Sequence, residues 1–598
     1  MTSPVSPRPT EPGAPPPARK DPSSREGGGF ARWLPASRWL LHYQRADLPR
    51  DLVAGVVTAI LLIPQSMAYA QLAGLPAQMG LYASVLPLAV YALLGTSRQL
   101  SVGPVAIASL MVATTVERFA PAGSTRYIEL ALVVALLVGA LQVVLGMLRL
   151  GSLLKFISHS VLTAFSSASA LIIAAGQLRH ILGYRLHGER FHELIVAAIT
   201  GLGQTNPVTL ALGAGSLVLL VSFRKLLRGW LVRWGLAPGA VTLIVSAAPL
   251  LTVVLGIAIV GGARLDTSAG VGVVGEIPAG LSPLRVPTVA LGDVGALFPG
   301  ALAILLVGVV ESIAVANTLA AKRRETIDPN QELVALGAAN LAAGCCTGYP
   351  VTGGFARSVV NYQAGALTGL ASLVTAAVIA LVLVVLTPAF YFLPQAVLAA
   401  TVIVAVFGLV DLREPFQVWR VSPVDAITWG VTFGAVLVFG VEVGIFTGVV
   451  TSALTFLWHK SRPHLAVVGR LGETETYRNV LRHEVRTCPQ VLAVRVDASL
   501  YFGNAQYLRD ALARIVEEHP QAKHLVLIGS AINSIDASAL HALEHLLAQL
   551  GERGVELHLA DVKGPVLDRL VHTPFFERLG RDHVHLSTHE AMRALGCV

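Results

Sequence analysis

Two stretches of this chain, Ala131–Leu148 and Leu367–Leu386, hold no charged residue at all. Runs of 18–20 apolar residues are long enough, as helices, to cross a hydrocarbon layer of about 30 Å. Similar runs recur from about Asp51 to His459, which predicts roughly fourteen membrane segments, several too short or too broken to span alone. The composition agrees. Charged residues make up 13% of the chain, hydrophobic residues 54%, and mean hydropathy is +0.66. A soluble chain carries about a quarter charged residues, so much of this surface faces lipid.

The net charge of +8 does not indicate nucleic acid, because the basic residues sit beside the apolar runs. Arg45 and Arg50 precede the first, and Arg149 and Lys155 follow the fourth. Arg224, Lys225, Arg228 and Arg233 follow the sixth, Lys322–Arg324 the eighth, and Arg413 and Arg420 the twelfth. The positive-inside rule then puts both termini in the cytoplasm, although Arg118, Arg126, Arg185 and Arg190 fall in loops assigned outside. The expected location is a bacterial inner (plasma) membrane, crossed many times. Residues 1–30, rich in Pro, Ser and Gly, read as a disordered tail, and the first apolar run begins only near Leu52, so no cleavable signal is expected. The four cysteines (Cys345, Cys346, Cys488, Cys597) show no C-x-x-C spacing. Neither a metal site nor a disulfide framework is expected from them.

Two breaks interrupt the apolar region with the same grammar. Ser101-Val102-Gly103-Pro104 leads into Val105–Val116, and Tyr349-Pro350-Val351-Thr352-Gly353-Gly354 leads into Phe355–Tyr362. Non-helical backbone at membrane depth is tolerated where protein or a watery cavity covers it. Interrupted segments in corresponding places of two halves mark a transporter's binding site. Each helix N-terminus carries about half a positive charge, so two such ends facing one another suit an anion. The alternative is a pair of surface turns. After His459, strand-like runs (Val491–Val496, His524–Ile528, Val555–Ala560) alternate with amphipathic ones (Ala505–Glu518, Ser538–Leu550), which predicts a small α/β domain.

The motifs Ile63-Pro64-Gln65-Ser66-Met67-Ala68-Tyr69-Ala70, Gly95-Thr96-Ser97-Arg98-Gln99-Leu100-Ser101-Val102-Gly103-Pro104 and Pro350–Asn361 resemble the sulfate permease family. The tail resembles that family's STAS domain at Leu500–Ala505 and Ile535–Leu540, and the resemblance runs in order from Asp51 to Leu595. It implies a seven-plus-seven inverted repeat with core and gate domains moving in an elevator-like alternating-access motion, usually as a homodimer. The implied divisions are a disordered cytoplasmic tail (1–45), a transmembrane anion-transport domain (46–460), and a linker with a cytoplasmic STAS domain (461–598). By similarity the anion is lined by Gln65, Tyr69, Val105, Gly354, Phe355, Ala356 and Arg357. Ala356 stands where many members carry Ser, which leaves more of the binding to backbone N–H groups.

Each side chain also has a plainer reading. Glu311 lies in an otherwise apolar helix, where a lone acid costs at least about 2.5 kcal/mol on insertion scales and usually faces a cavity or a partner. It is either a cation-coupling site or a fixed ion pair with Arg357. The resemblance favours coupling, because proton-coupled bacterial and plant members have an acid here. Sodium is the rival, since some bicarbonate carriers place Asp there. Arg357 either attracts the anion or packs against Glu311. Gln65 can donate to an oxyanion or hydrogen-bond between helices, and Tyr69, at i+4 on the same face, otherwise packs the core. His541 and His545 lack the Glu of a metalloprotease pattern and read as a helix face. Ser538 reads as a helix N-cap, with phosphorylation as the regulatory alternative.

No nucleophile–base pair, phosphate loop or metal cluster suggests an enzyme, and no metal site is expected. The sequence therefore predicts secondary active transport of a small anion, sulfate or a C4-dicarboxylate favoured, by symport with H+ (or Na+). Alternatives are a sodium-coupled bicarbonate symporter, an exchanger, an uncoupled channel, or a membrane sensor built on the STAS domain. The expected partners are the anion, the lipid bilayer, a second copy of the chain and an unknown cytoplasmic protein that binds the STAS domain; no nucleic acid and no bound cofactor are expected.

Overall fold

In an apolar medium a backbone must satisfy its own N–H and C=O groups, and the apolar runs of this chain do so as helices. The computed structural model describes residues 34–151, 158–186, 188, 190–236, 241, 244, 245, 247–285, 287, 288 and 290–598. Among them seven helices are long and apolar enough to cross a membrane: Arg45–Leu72, Ala77–Leu94, Thr125–Met147, His159–Leu182, Gly292–Arg323, Gln395–Val421 and Val441–Lys460. Six shorter apolar helices of 10–17 residues accompany them. The Pro/Ser/Gly-rich residues 1–30 and Lys155 lie outside the described residues. Part of the stretch expected to be disordered up to residue 45 has regular structure. Ala36–Leu41 is helical, and Trp39 is buried, its indole close to the backbone of Gly369.

The chain divides into two units, the first ending at Ser452 and the second beginning at Ala453. In the first, the helices that position the site are α1 (Leu48–Leu72), α2 (Ala106–Val116), α3 (Thr125–Met147), α4 (Leu291–Arg323), α5 (Pro329–Cys345) and α6 (Phe355–Gln363). Small residues set the closest packing. A Cβ at Gly139 of α3 would lie 2.7 Å from the Leu341 nitrogen, and one at Gly337 of α5 would lie 2.7 Å from the Val143 nitrogen. Only glycine lets these two backbones approach so nearly, as at other close helix pairs in membranes.

The two breaks come together. Val102–Gly103 (β1) pairs antiparallel with Thr352–Gly353 (β2), with Val102 opposite Gly353 and Gly103 opposite Thr352. All four residues are buried. This settles the choice between a matched pair of breaks and surface turns: the backbone groups that leave the helical ladder find partners in each other.

The second unit is a six-stranded sheet of order β4-β3-β5-β6-β7-β8. The strands are β3 (Leu465–Arg470), β4 (Tyr477–Asn479), β5 (Val491–Val496), β6 (His524–Ile528), β7 (Glu556–Ala560) and β8 (Val584–His585). Strands β5 to β8 run parallel, and β3 is antiparallel to both its neighbours. Helices α7 (Ala505–Glu517) and α8 (Ala537–Glu552) pack Leu508, Leu512, Leu543 and Leu546 with Leu525, Leu527, Leu557 and Leu559 of one sheet face. On the opposite face Val526, Ile528 and Ala560 pack with Ala591 and Met592 of α9 (Thr588–Ala594). The sequence predicted β5, β6 and β7 but not β3, β4 or β8. Strands of three and two residues, such as β4 and β8, are too short for an alternation to register.

Two further expectations are corrected in this unit. Cys488 and Cys597 are joined in a disulfide, their Cα atoms 5.8 Å apart and 109 residues apart in sequence. Spacing rules see only neighbours, and this pair meets because the chain end folds back with α9 against the sheet face that carries Val491. Ser538 does not cap α8. Asp536 does, its carboxylate accepting from the Ala539 N–H at 2.8 Å and from the Phe502 N–H at 2.8 Å. A carboxylate is the stronger acceptor at a positive helix end, and Ser538 is left exposed in the first turn.

Candidate functional site

The site grows from the crossing of β1 and β2. The antiparallel pairing means that α2 and α6 leave it in opposite directions, each with its N-terminus at the crossing. Val105 and Gly354 occupy the two N-cap positions in extended conformation, and neither start has a side-chain cap. The N–H groups of Ala106, Ile107 and Ala108, and of Phe355, Ala356 and Arg357, therefore lie in first turns that contain no internal acceptor. Two uncapped positive ends at one point make a place for negative charge.

Arg357 holds the crossing together. Its buried guanidinium donates four of its five hydrogens to backbone carbonyls at 2.5–2.8 Å: Ser101, Gly103, Pro104 and Thr352. These four oxygens belong to both breaks, so one side chain fastens the two together. A Cβ at Gly354 would sit 2.7 Å from Nε of Arg357, which is why glycine stands there.

Helix α4 grips β2 from the side. Thr352 Oγ1 donates to the Gly308 carbonyl at 2.6 Å, and the Gly353 N–H donates to Ser312 Oγ at 2.8 Å. Asn340 of α5 completes the clamp. Its Oδ1 accepts from the Val351 N–H at 2.8 Å and its Nδ2 donates to the Val351 carbonyl at 3.0 Å. Every one of these residues is buried.

Around this frame stand the predicted side chains. Helix α1 packs against both α2 and α6, and α4 packs against α2, β2 and α6. On α1, Gln65 is part-buried and Tyr69 is buried. On α4, Glu311 is part-buried, one residue before the buried Ser312 that grips β2. Arg357 is within electrostatic reach of Tyr69, Glu311 and also Tyr349, whose hydroxyl meets Ser109 Oγ at 3.2 Å. Phe355 and Ala356 are exposed at the start of α6, and Val105 is buried. Among the described residues Glu311 and Arg357 form no ion pair within 4 Å, and the carboxylate of Glu311 accepts no hydrogen bond. The fixed-pair reading of these two residues does not describe this geometry.

Other buried acids of the bundle, not singled out in the sequence, are all occupied. Glu332 accepts from the Tyr91 hydroxyl, the Thr96 N–H and hydroxyl, and the Ser97 N–H, at 2.6–3.0 Å. Asp51 accepts from the Leu367 N–H and from the N–H and hydroxyl of Thr368. Glu442 takes the Thr115 hydroxyl and an ion pair with Arg118. Reasoning from sequence also missed Ser312, Asn340 and Tyr349, since a lone polar residue in an apolar run gives no hint of a backbone partner. In the second unit His541 lies exposed beside Glu544 at 3.2 Å, and Ser538 is a surface hydroxyl.

Comparison with known proteins follows the same division. Residues 48–432 match the model of the Sulfate permease family, and residues 482–591 match the STAS domain. The chain is 36% identical over 575 residues to Sulfate transporter 4.1, chloroplastic, of Arabidopsis thaliana, covering 94% of this chain and 81% of that protein. It is 32% identical over 587 residues to High affinity sulfate transporter 2 of Stylosanthes hamata, covering 95% and 87%. The fold matches the inward-facing murine Solute Carrier 26 family member A9 anion transporter with a TM-score of 0.87 at 25% identity, over 99% of this chain and all of that one. It also matches the transmembrane domain of a cyanobacterium bicarbonate transporter, BicA, with a TM-score of 0.56 at 20% identity, over 68% and 98%. The two sequence relatives named here are plant proteins and lend no support to the expected bacterial inner membrane; the chain itself is a multi-pass membrane protein. These matches, together with paired breaks that cross where the motifs predicted them, place the chain in the sulfate permease family, a family of transporters and not of enzymes, with a STAS domain at its C-terminus.

Proposed function

We propose that this protein is a secondary active transporter that carries a small oxyanion, sulfate first among the candidates, together with a proton taken up at Glu311. The observation that carries the coupling is the contrast among buried acids. Asp51, Glu332 and Glu442 each hold hydrogen-bond donors or an ion pair, whereas Glu311, beside the strand crossing, takes no hydrogen bond and no ion pair within 4 Å among the described residues and has the charge of Arg357 in reach. A carboxylate of this kind has no structural bond to break when it changes charge. An anion arriving at the crossing raises its proton affinity, and a bound proton in turn favours the anion; the coupling is reciprocal.

In this reading the first-turn N–H groups of α2 and α6, starting at Val105 and Gly354, bind the oxyanion. Phe355 and Ala356 supply N–H groups, Gln65 and Tyr69 approach from α1, and Arg357 adds positive charge while it holds the backbone in place. Moving one negative charge inward against 100 mV costs about 2.3 kcal/mol. A carrier returns to its starting state, so tighter binding cannot remove that cost; each co-transported proton offsets one charge, and divalent sulfate needs two for electroneutrality, of which Glu311 carries one. Sulfate is preferred over a C4-dicarboxylate because the relatives named above are called sulfate transporters. Both termini are placed on the cytoplasmic side, and the working unit is a homodimer in which each protomer has its own site.

The test is uptake of labelled sulfate into proteoliposomes, with and without an inward proton gradient, for the wild type and Glu311→Gln. Accumulation that needs the gradient, and is lost in Glu311→Gln while sulfate exchange persists, is the expected result. Flux indifferent to both the gradient and Glu311 would make the protein an exchanger or channel and the carboxylate a bystander. If fumarate or bicarbonate accumulates in place of sulfate, the coupling stands and the substrate changes.

A further inference from the structure

Four of the histidines in the C-terminal unit gather together, the rings of His524, His583 and His585 lying 4.6–5.5 Å from that of His558. His524 opens β6, Glu556 opens β7, and His558 follows two residues later. The parallel register sets His524 opposite Glu556 and Val526 opposite His558. With the period of two that a strand imposes, His524, Glu556 and His558 share the face that carries Val526, Ile528 and Ala560. His585 of β8 joins them opposite Ala560, and the ring of His583 lies 4.6 Å from that of His558.

The donor atoms converge. Nδ1 of His524 lies 3.2 Å from Oε2 of Glu556 and 3.3 Å from Nε2 of His558, and that Nε2 is 3.8 Å from the same carboxylate oxygen. A tetrahedral zinc ion with bonds of about 2.0–2.1 Å holds its ligand atoms about 3.3–3.4 Å apart. The triangle drawn by these three atoms is close to one face of such a tetrahedron. The other nitrogen of His558, Nδ1, meets Nε2 of His585 at 3.3 Å. A hydrogen bond there fixes the tautomer and leaves the Nε2 lone pair for an ion, as outer partners of metal-bound histidines commonly do.

We propose that His524, Glu556 and His558 form a three-ligand site for a divalent transition metal of zinc's character. Two imidazoles and one carboxylate suit zinc, whereas magnesium and calcium prefer oxygen donors throughout. His558 is buried and forms the floor, while Glu556 is largely exposed, its side chain 61% accessible, so the fourth position opens to water or to a donor from another molecule. The cysteines play no part in the site, so their spacing says nothing against it.

The plainer arrangement is a chain of neutral imidazoles hydrogen-bonded to one another, which needs no ion. The test is zinc binding to the full-length, tag-free protein in detergent, stripped with a chelator and titrated with zinc chloride against a chromophoric competitor. One zinc per chain is expected. His524→Ala and Glu556→Gln, both at partly exposed positions, should weaken it on the order of 10- to 100-fold, while melting stays unchanged in metal-free buffer. The paired control, His541→Ala with His545→Ala, should bind as the wild type does. Absence of stoichiometric zinc at micromolar concentration, or zinc that persists unchanged in both variants, would overturn the proposal and leave the imidazole chain.

Discussion

Glu332 and Glu311 lie in neighbouring helices of one bundle, and the protein treats them in opposite ways. Glu332 is fully buried and takes four donors from Tyr91, Thr96 and Ser97. Glu311 is part-buried and takes none among the described residues. Burying a charge costs several kcal/mol unless hydrogen bonds replace its water. Glu332 meets that requirement and pins the loop before β1 to the start of α5. Glu311 is left unsatisfied next to the crossing, in the place where a change of charge does the fold least harm. The lesson is that burial of an acid in a membrane says little by itself; the count of its donors separates the structural carboxylate of Glu332 from that of Glu311, for which proton coupling is proposed.

The contrast can be broken by mutation, and the largest effect belongs to the saturated acid. Glu332→Ala strands buried donors and is expected to destabilise the bundle by about 3–5 kcal/mol, seen as loss of folded protein and a lower melting midpoint in detergent. Next is Arg357→Lys. An ammonium cannot reach four carbonyls in a planar fork, so about 2–3 kcal/mol is expected to go, along with sulfate uptake. Ser312→Ala removes the acceptor of the Gly353 N–H and is expected to cost about 1–2 kcal/mol; its check is a melting shift smaller than that of Arg357→Lys.

A saturated acid in water extends the same comparison. Asp497 in the C-terminal unit is held below the ordinary carboxylate range, first by the hydrogen bonds of Arg495 at 2.6 and 3.0 Å and then by His464. Its contribution is therefore present above the unfolded-state value near pH 4 and is lost as pH falls through the lower folded value. In Asp497→Asn protein, melting midpoints measured from pH 6 to 2 should fall less steeply than in the wild type. The slightest structural effect is expected from Glu311→Gln, which removes no hydrogen bond and should change stability by less than about 1 kcal/mol while ending proton-driven accumulation. If Glu311→Gln lowers the melting midpoint as much as Glu332→Gln does, Glu311 is structural and the distinction fails.

Much of this was legible in the chain. The charge-free run Ala131–Leu148 falls on a span, Thr125–Met147, whereas Leu367–Leu386 holds one of the shorter helices, Leu370–Val385; the repeated Gly/Pro grammar located both breaks to within a residue of their helix starts. Glu311 stood out because nothing charged surrounds it in sequence. Glu332 did not, since an acid in the first turn of a helix after Asp328-Pro329 is ordinary, and its donors lie more than 230 residues away in sequence. The partners of Arg357 were hidden for a related reason: they are backbone carbonyls, which carry no side-chain signature. In the C-terminal unit Asp536 and Ser538 are two cap candidates two residues apart, and the carboxylate of Asp536 prevails. The Cys488–Cys597 pair depends on where the last helix lies against the sheet, which no local pattern records.

The pairing of β1 with β2 has a mechanical consequence. Its strands come from distant parts of the chain, Val102 pairing with Gly353 and Gly103 with Thr352, and the ties of Arg357 run from one break to the other. Neither helix start can shift, tilt or unwind alone without tearing buried hydrogen bonds. The starts of α2 and α6 thus behave as one stiff joint. In the proposed transport cycle the opening to either side would then fall at the seam between this joint and the helices around it.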